Sequence, residues 1–323
     1  MVKLAKENVL ESQDLMGAYM EALVNEAKIN KKIVDVEADL ANCINGPMFK
    51  EAFPDRFFDI GIAEQSLSTI SAGLSAVGKI PFAHSFACFA SRRACDQNYI
   101  SCAYAKNNVK LVGSDPAISA GENGGTHQAN EDIAIMRPIA DITIIEPSDA
   151  AMMKWAVKEA ANTEGFFYIR VQRKDNVSIY EEGSTFVVGK ANTIREGSDV
   201  TLIAEGSTML ITCLEAAKAL EKQGISARVV DMFTIKPIDK ECIIKCVNET
   251  GAIVTAENHT IVGGLGSAVA EVMVEEGALA PMKRIGIPDR FGEVGQPDEL
   301  QKTMKMTSED IVAAAKSVIS LKK

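Results

Sequence analysis

The sequence predicts an α/β protein made of two doubly wound domains with mostly parallel sheets. Short apolar runs alternate with helical stretches almost throughout, the pattern of a parallel sheet covered by helices on both faces. That rhythm lapses once, between about residues 172 and 198, and then resumes. The length of 323 residues fits two domains of roughly 100–200 residues each.

The first helical stretch runs from Ser12 to about Ile29. It carries Leu15, Met16, Tyr19, Leu23 and Ala27 at helical spacing, with Ser12 as candidate N-cap. A strand at Ile33–Val36 follows, then a loop containing Asn45-Gly46-Pro47. The run IGIA, residues 60–63, reads as a strand that ends directly in Glu64, before a helix rich in Ala, Ser and Gly. Runs at Lys110–Val112, Ile142–Ile145 and Phe166–Val171 read as buried strands, with a helix at Ser148–Ala161. Turn formers and charges then dominate a connector, which divides the chain into residues 1–185 and 186–323. Beyond it come strand Val200–Ala204, helix Met209–Gln223, strand Ala227–Val230, helix Asp239–Asn248, strand Ala252–Ala256 and a helix after Gly264.

Composition narrows the function classes. Apolar residues make up 47% and charged residues 24%, which is ordinary for a globular protein. A net charge of −10 with scattered Lys and Arg argues against a surface that tracks nucleic-acid phosphates. No apolar run reaches the roughly 18 residues of a membrane span, and the N-terminus lacks the apolar core of a signal peptide. The seven cysteines form no CxxC pair and no zinc-like cluster with histidine. Their odd number reads as reduced thiols of a cytoplasmic protein. The only histidines are His84, His127 and His259.

Four loops draw attention. GGLGSA at Gly263–Ala268 follows a strand and opens a helix, but it does not fit GxGxxG; a tight turn for helix–strand packing is the favoured reading. Glu64 sits where a strand meets a helix N-terminus, the ligand-binding edge of doubly wound folds. It equally suits a carboxylate that stabilises the first helical turn. Ser119–Arg137 holds three glycines in five residues, which let backbone approach a ligand; His127 ends that run, as a functional group or a helix cap. Phe86, Phe89 and Arg92 recur every third residue, placing two aromatics and a cation on one helical face, where a core role competes with a cofactor platform.

Taken in order, GIAEQ, the Phe-x-x-Phe stripe leading to DQ, the Gly-rich loop ending in Thr-His-Gln, and Glu146-Pro147-Ser148-Asp149 resemble the thiamine-diphosphate family that includes the transketolases. The resemblance runs from about Ser12 to the end and covers the family's C-terminal half. It implies a pyrimidine-binding fold followed by a transketolase C-terminal-domain fold. The Gly-Asp-Gly motif, with which the family holds a divalent metal and the diphosphate, does not occur here. The resemblance therefore implies a split transketolase, with thiamine diphosphate and Mg2+ (or Ca2+) held mainly by an N-terminal partner subunit. A heterotetramer of two plus two chains would carry out ketol transfer between small sugars.

By the same resemblance, Glu64 is the catalytic glutamate. Protonated, it would hydrogen-bond the cofactor's aminopyrimidine and favour the imino tautomer that takes up the thiazolium proton. Burial suits that role, since desolvation favours the neutral acid. Phe86, Phe89, Arg92 and Ile62 would line the pyrimidine site, and His127 would contact the substrate. Arg92 stands where many transketolases have tyrosine and the deoxyxylulose-phosphate synthases have arginine.

Four substrate positions depart from the family pattern: Gln13 for an arginine, Cys43 for a serine, Asp115 for a histidine, and Asn123 for an aspartate. Arg173 is the one matching phosphate contact. A carboxylate near a phosphate would repel it, so the resemblance implies retained chemistry on a sugar whose far end is unphosphorylated, branched or differently acidic. The competing readings are a β-type subunit of a 2-oxo acid dehydrogenase, a deoxyxylulose-phosphate-synthase-like enzyme, and a non-catalytic dimer partner. A nicotinamide dehydrogenase rests on GGLGSA alone. The second domain, with His259, is expected to serve assembly more than chemistry, unless His259 reaches the active-site mouth.

Overall fold

The structure is a computed structural model, and it describes all residues except Met1, Ser12, Lys174, Asp175 and Lys323. The Ser12 cap lies outside the described residues; the first helix, Leu15–Ile29, is capped by Asp14, whose carboxylate accepts from Gly17 N. The strands of the first half are β1 (Ile33–Glu37), β2 (Phe57–Asp59), β3 (Ile80–Phe86), β4 (Lys110–Ser114), β5 (Thr143–Ile145) and β6 (Phe167–Val171). Those of the second are β7 (Asn192–Arg195), β8 (Val200–Ala204), β9 (Ala227–Asp231), β10 (Thr234–Lys236), β11 (Ile253–Thr260) and β12 (Met282–Ile287).

They form two sheets, ordered β10-β5-β6-β4-β3-β1-β2 and β12-β11-β8-β9-β7. All pairs are parallel except β10 with β5 and β7 with β9. The expected α/β class with mostly parallel sheets is what the chain adopts. In the first sheet, side chains alternate between two cores, as the pleat requires. Phe82, Val112, Phe167 and Ile169 face the helices Leu15–Ile29 and Ala150–Asn162. Val34, Ala83, Leu111 and Tyr168 face the side covered by helix Glu64–Ala76. The first of these cores continues without a break into Val200, Leu202, Phe233 and Leu300 of the second half.

Three local expectations change. The strand before Glu64 ends at Asp59, and Gly61 at φ +75° turns the chain, so residues 60–63 form a loop rather than IGIA strand. Phe86 closes β3, and Phe89 starts a π-helical turn at Phe89–Arg93, so Phe86, Phe89 and Arg92 share no helical face. Parallel pairing of β3 on both edges overrides the three-residue spacing there. The connector is also less irregular than its composition. It pairs backward with the N-terminus through Ala5 N to Ile179 O and Ser178 N to Val9 O, both 2.9 Å, and it contains β7.

Candidate active site

The carboxyl ends of β1, β3, β4 and β6 converge, as they do at ligand crevices of open parallel sheets. Glu64 opens its helix with 1% of its surface exposed. Arg93 Nη1 donates to both of its oxygens, at 2.9 and 2.7 Å. The Arg93 guanidinium also lies over the Phe89 ring, 4.2 Å from the centroid. Phe86 and Phe89 stack at 6.1 Å with an 18° interplanar angle. His127 meets both edge-on, at 6.0 and 5.2 Å, while its Nδ1 engages Thr126 Oγ1 at 2.9 Å.

Beside this group, Arg173 lies 5.7 Å from the Phe86 centroid and pairs with Asp115, with Nε 2.6 Å from Oδ1. Cys43 packs with Phe86 and Phe89 and hydrogen-bonds Arg173. Burial raises the Asp115 carboxyl, with Arg173 opposing; burial also raises the Cys43 thiol. Asp115 and Ala117 hold φ of +55° and +47°, a left-handed backbone that is strained for side-chain-bearing residues. Beneath them, His84 Nδ1 lies 2.8 Å from Glu37 Oε2 and its Nε2 lies 2.9 Å from Ser114 Oγ. Ser114 in turn hydrogen-bonds Asp115. Burial lowers His84 to about 4, so the imidazole is neutral at pH 7.

The other named positions lie apart. Arg92 turns away to Glu131, with Nε 2.9 Å from Oε1, and donates to Thr126 O at 3.2 Å. Gln13 donates to Glu21 Oε2 at 2.9 Å. Asn123 is exposed, and Ile62 is 74% exposed. Among the described residues, none of Arg92, Gln13, Asn123 or Ile62 has a hydrogen bond or ring contact to Glu64, Phe86 or Phe89. Sequence reasoning missed Arg93; its signal was the four-residue step from Phe89, one helical turn. It also gave no role to Glu37, His84 and Ser114, which only strand register brings together.

The glycines of the loop before His127 work differently from expectation. A Cβ on Gly121 would come within 2.4 Å of Gly295 O, and one on Gly125 within 2.5 Å of Gly292 O. These residues let the second half press against the loop. Gln128 strengthens the seam by donating to Glu293 O at 2.8 Å. His259 is fully buried there: its Nδ1–H donates to Thr260 O at 2.6 Å, and its Nε2 accepts from Ala134 N at 3.2 Å. His259 thus ties the second half to Ala134 of the first and has no exposed surface. GGLGSA is the packing turn, with Gly263 at φ +84° and a Cβ on Gly266 within 2.7 Å of Thr255 Oγ1.

A planar polar group fits against both Phe89 and Glu64, as the Arg93 guanidinium demonstrates, so these residues suit the flat ring of an aminopyrimidine. Nothing comparable suits a metal: among the described residues no group of three or more His, Cys, Asp or Glu could hold one. No described helix is long and apolar enough to cross a membrane.

Fold and site together define the pyrimidine-binding and C-terminal portion of a thiamine-diphosphate enzyme. Residues 11–177 match the family described as transketolase, pyrimidine binding domain, and residues 189–311 match transketolase, C-terminal domain. The chain belongs to the transketolase family, as the C-terminal subunit of a split enzyme. It is 44% identical over 313 residues to the 6-deoxy-6-sulfo-D-fructose transketolase subunit SqwH of Clostridium sp. (strain MSTE9), covering 97% of both chains. It is 37% identical to one of the subunits of the apulose-4-phosphate transketolase of Phocaeicola vulgatus, covering 92% of this chain and 95% of that one. A solved split-gene transketolase, described as an inactive beta4 tetramer, superposes with a TM-score of 0.88 at 44% identity, over 95% of this chain and 98% of the other.

Proposed function

We propose that this chain completes a two-chain transketolase, moving a two-carbon ketol unit from a ketose to an aldose. Its N-terminal partner would hold the metal, Mg2+ or Ca2+, and the diphosphate, in an assembly of two plus two. The observation that carries the reading is Glu64 beside the Phe86–Phe89–His127 group, with no metal-holding cluster among the described residues. Thiamine diphosphate, when bound, supplies the nucleophilic carbon that opens the ketose.

This chain's own residues do the rest. Glu64 would donate a hydrogen bond to the pyrimidine nitrogen, and Phe89 with Phe86 would fix the plane of that ring. His127, with Nδ1 engaged by Thr126, would turn Nε2 to the substrate's oxygens and move a proton there.

The far end of the sugar would meet Cys43, Asp115 and Arg173. Because Arg173 is already committed to Asp115, this corner offers no uncompensated positive charge to a terminal phosphate. We take the substrate to be a ketose other than the ordinary pentose phosphates. A sulfonated ketose, whose terminal group carries a single negative charge where a phosphate carries nearly two, is the first to assay, given the relative that acts on 6-deoxy-6-sulfo-D-fructose. Arg92, Gln13, Asn123 and Ile62 would act only after partner binding rearranges their surroundings. We keep the domain division at residue 185, since the connector carries the change of sheet.

The test is co-purification with a chain bearing Gly-Asp-Gly, then ketol transfer with thiamine diphosphate and magnesium. Turnover is expected only with both chains, and Glu64→Ala should abolish it. Near wild-type activity of that variant would sink the assignment, and equal turnover of xylulose 5-phosphate with ribose 5-phosphate would sink the substrate class.

A further inference from the structure

We infer that Arg93 is a built-in stand-in for the cofactor's aminopyrimidine: it closes the cradle in the free chain and swings out when cofactor binds. The inference rests on the reading that the pyrimidine docks at Glu64. Two independent contacts support it. The guanidinium is a flat group that donates to both Glu64 oxygens and simultaneously covers the face of Phe89. A planar aminopyrimidine docked at this cradle would use the same acid and the same ring, so both cannot be there at once.

The local structure makes the exchange feasible. Glu64 is sealed in at 1% exposure, whereas the Arg93 side chain is 46% exposed and has solvent to move into. It ends a π-helical turn, after which Ala94 leaves helical geometry at φ −107°, ψ 17°; such turns recur where helices must adjust at functional sites. Its neighbour Arg92 is engaged by Glu131 and Thr126 O instead. The Arg-Arg pair thus divides its work: one side chain anchors the segment and the other covers the acid.

The closed state is also chemically the wrong one. Paired with Arg93, Glu64 only accepts hydrogen bonds, while the pyrimidine nitrogen needs an O–H from it. Opening therefore requires Arg93 to leave. The free chain is held in an off state that the diphosphate grip of the partner helps to overcome. An ion pair with one half-exposed member contributes on the order of 1 kcal/mol, so deleting it should tighten cofactor binding about fivefold.

The experiment is calorimetric titration of thiamine diphosphate into the purified two-chain complex. Wild type, Arg93→Ala, Arg93→Met and Glu64→Gln are compared; the methionine variant keeps a side chain over Phe89 without charge or donors. Both Arg93 variants should bind about fivefold tighter. Equal or weaker binding by both Arg93 variants would overturn the stand-in while Glu64→Gln still alters binding. If Glu64→Gln binds like wild type, the pyrimidine is not at Glu64 and both readings fall.

Discussion

Replacing Arg170 by methionine tests how the two halves are bound together. Arg170 is fully buried. Its Nε lies 2.8 Å and its Nη2 3.1 Å from Asp132, and Nη2 donates to Asn258 O at 3.0 Å. Nη1 donates to Glu146, and Glu205 Oε1 stands 3.6 Å away. Methionine fills much of the volume but leaves these carboxylates without their cation. Burial already raises Glu146 and Glu205 despite Arg170, so the relief open to the variant is proton uptake. Holding one carboxyl protonated above its ordinary value near 4 costs about 1.4 kcal/mol per pH unit. One acid then costs roughly 4 kcal/mol at pH 7 and roughly 1.4 kcal/mol at pH 5. The figure at pH 7 falls in the 3–5 kcal/mol range for breaking a buried pair.

The sign follows from linkage. The native variant binds more protons than its unfolded chain, so its stability falls as pH rises. Urea unfolding at pH 5 and pH 7, with wild type alongside, reads the difference directly. A loss equal at both pH values would refute the electrostatic reasoning and leave only a packing defect.

Four further outcomes follow from particular residues. His84 is lowered to about 4 from an ordinary 6.5, so it weakens the fold as pH falls from about 6.5 toward 4; His84→Gln should flatten that part of the stability curve, by at most about 3 kcal/mol. Asp231, held by Ser148 and Tyr180, is pushed by burial from 3.8 to about 7. It stabilises below about pH 4 and loses that contribution as pH rises to 7, a slope that Asp231→Asn should remove in the same titration. Gly125→Ala drives a Cβ into Gly292 O and should cost about 1–3 kcal/mol in thermal unfolding. Gly73→Ala, in open space inside a helix, should instead stabilise by about 0.5–1 kcal/mol.

The alternation of sheet and helix was legible because fully buried parallel strands read as largely apolar runs; even β1, with Asp35 and Glu37 buried, keeps Ile33, Val34 and Val36. β1 and β8, buried at every position, were visible within a residue or two. Glu64, Phe89 and His127 were legible as motif residues. Arg93 was not, because the periodicity from Phe86 through Phe89 to Arg92 spans a strand end and a π-helical turn, two different repeats. Nor was the purpose of Gly121 and Gly125. A glycine's freedom to approach backbone is visible in sequence, but the identity of the approached backbone, some 170 residues away in the chain, is a matter of tertiary structure. The row Glu37, His84 and Ser114 escaped for the same reason, since cross-strand register sets it.

The short strand β10 has a consequence for where this molecule could be cut. It belongs to the second half of the chain, yet it closes the edge of the first sheet by pairing Thr234 with Ile145. Separating the two halves would therefore strip the first sheet of its outermost strand and bare the backbone of Ile144 and Ile145 along an apolar edge. Such an edge invites pairing with another chain. A break inside this unit would leave two sticky pieces, and the domain boundary that the connector's composition marks is bridged by the three residues of β10.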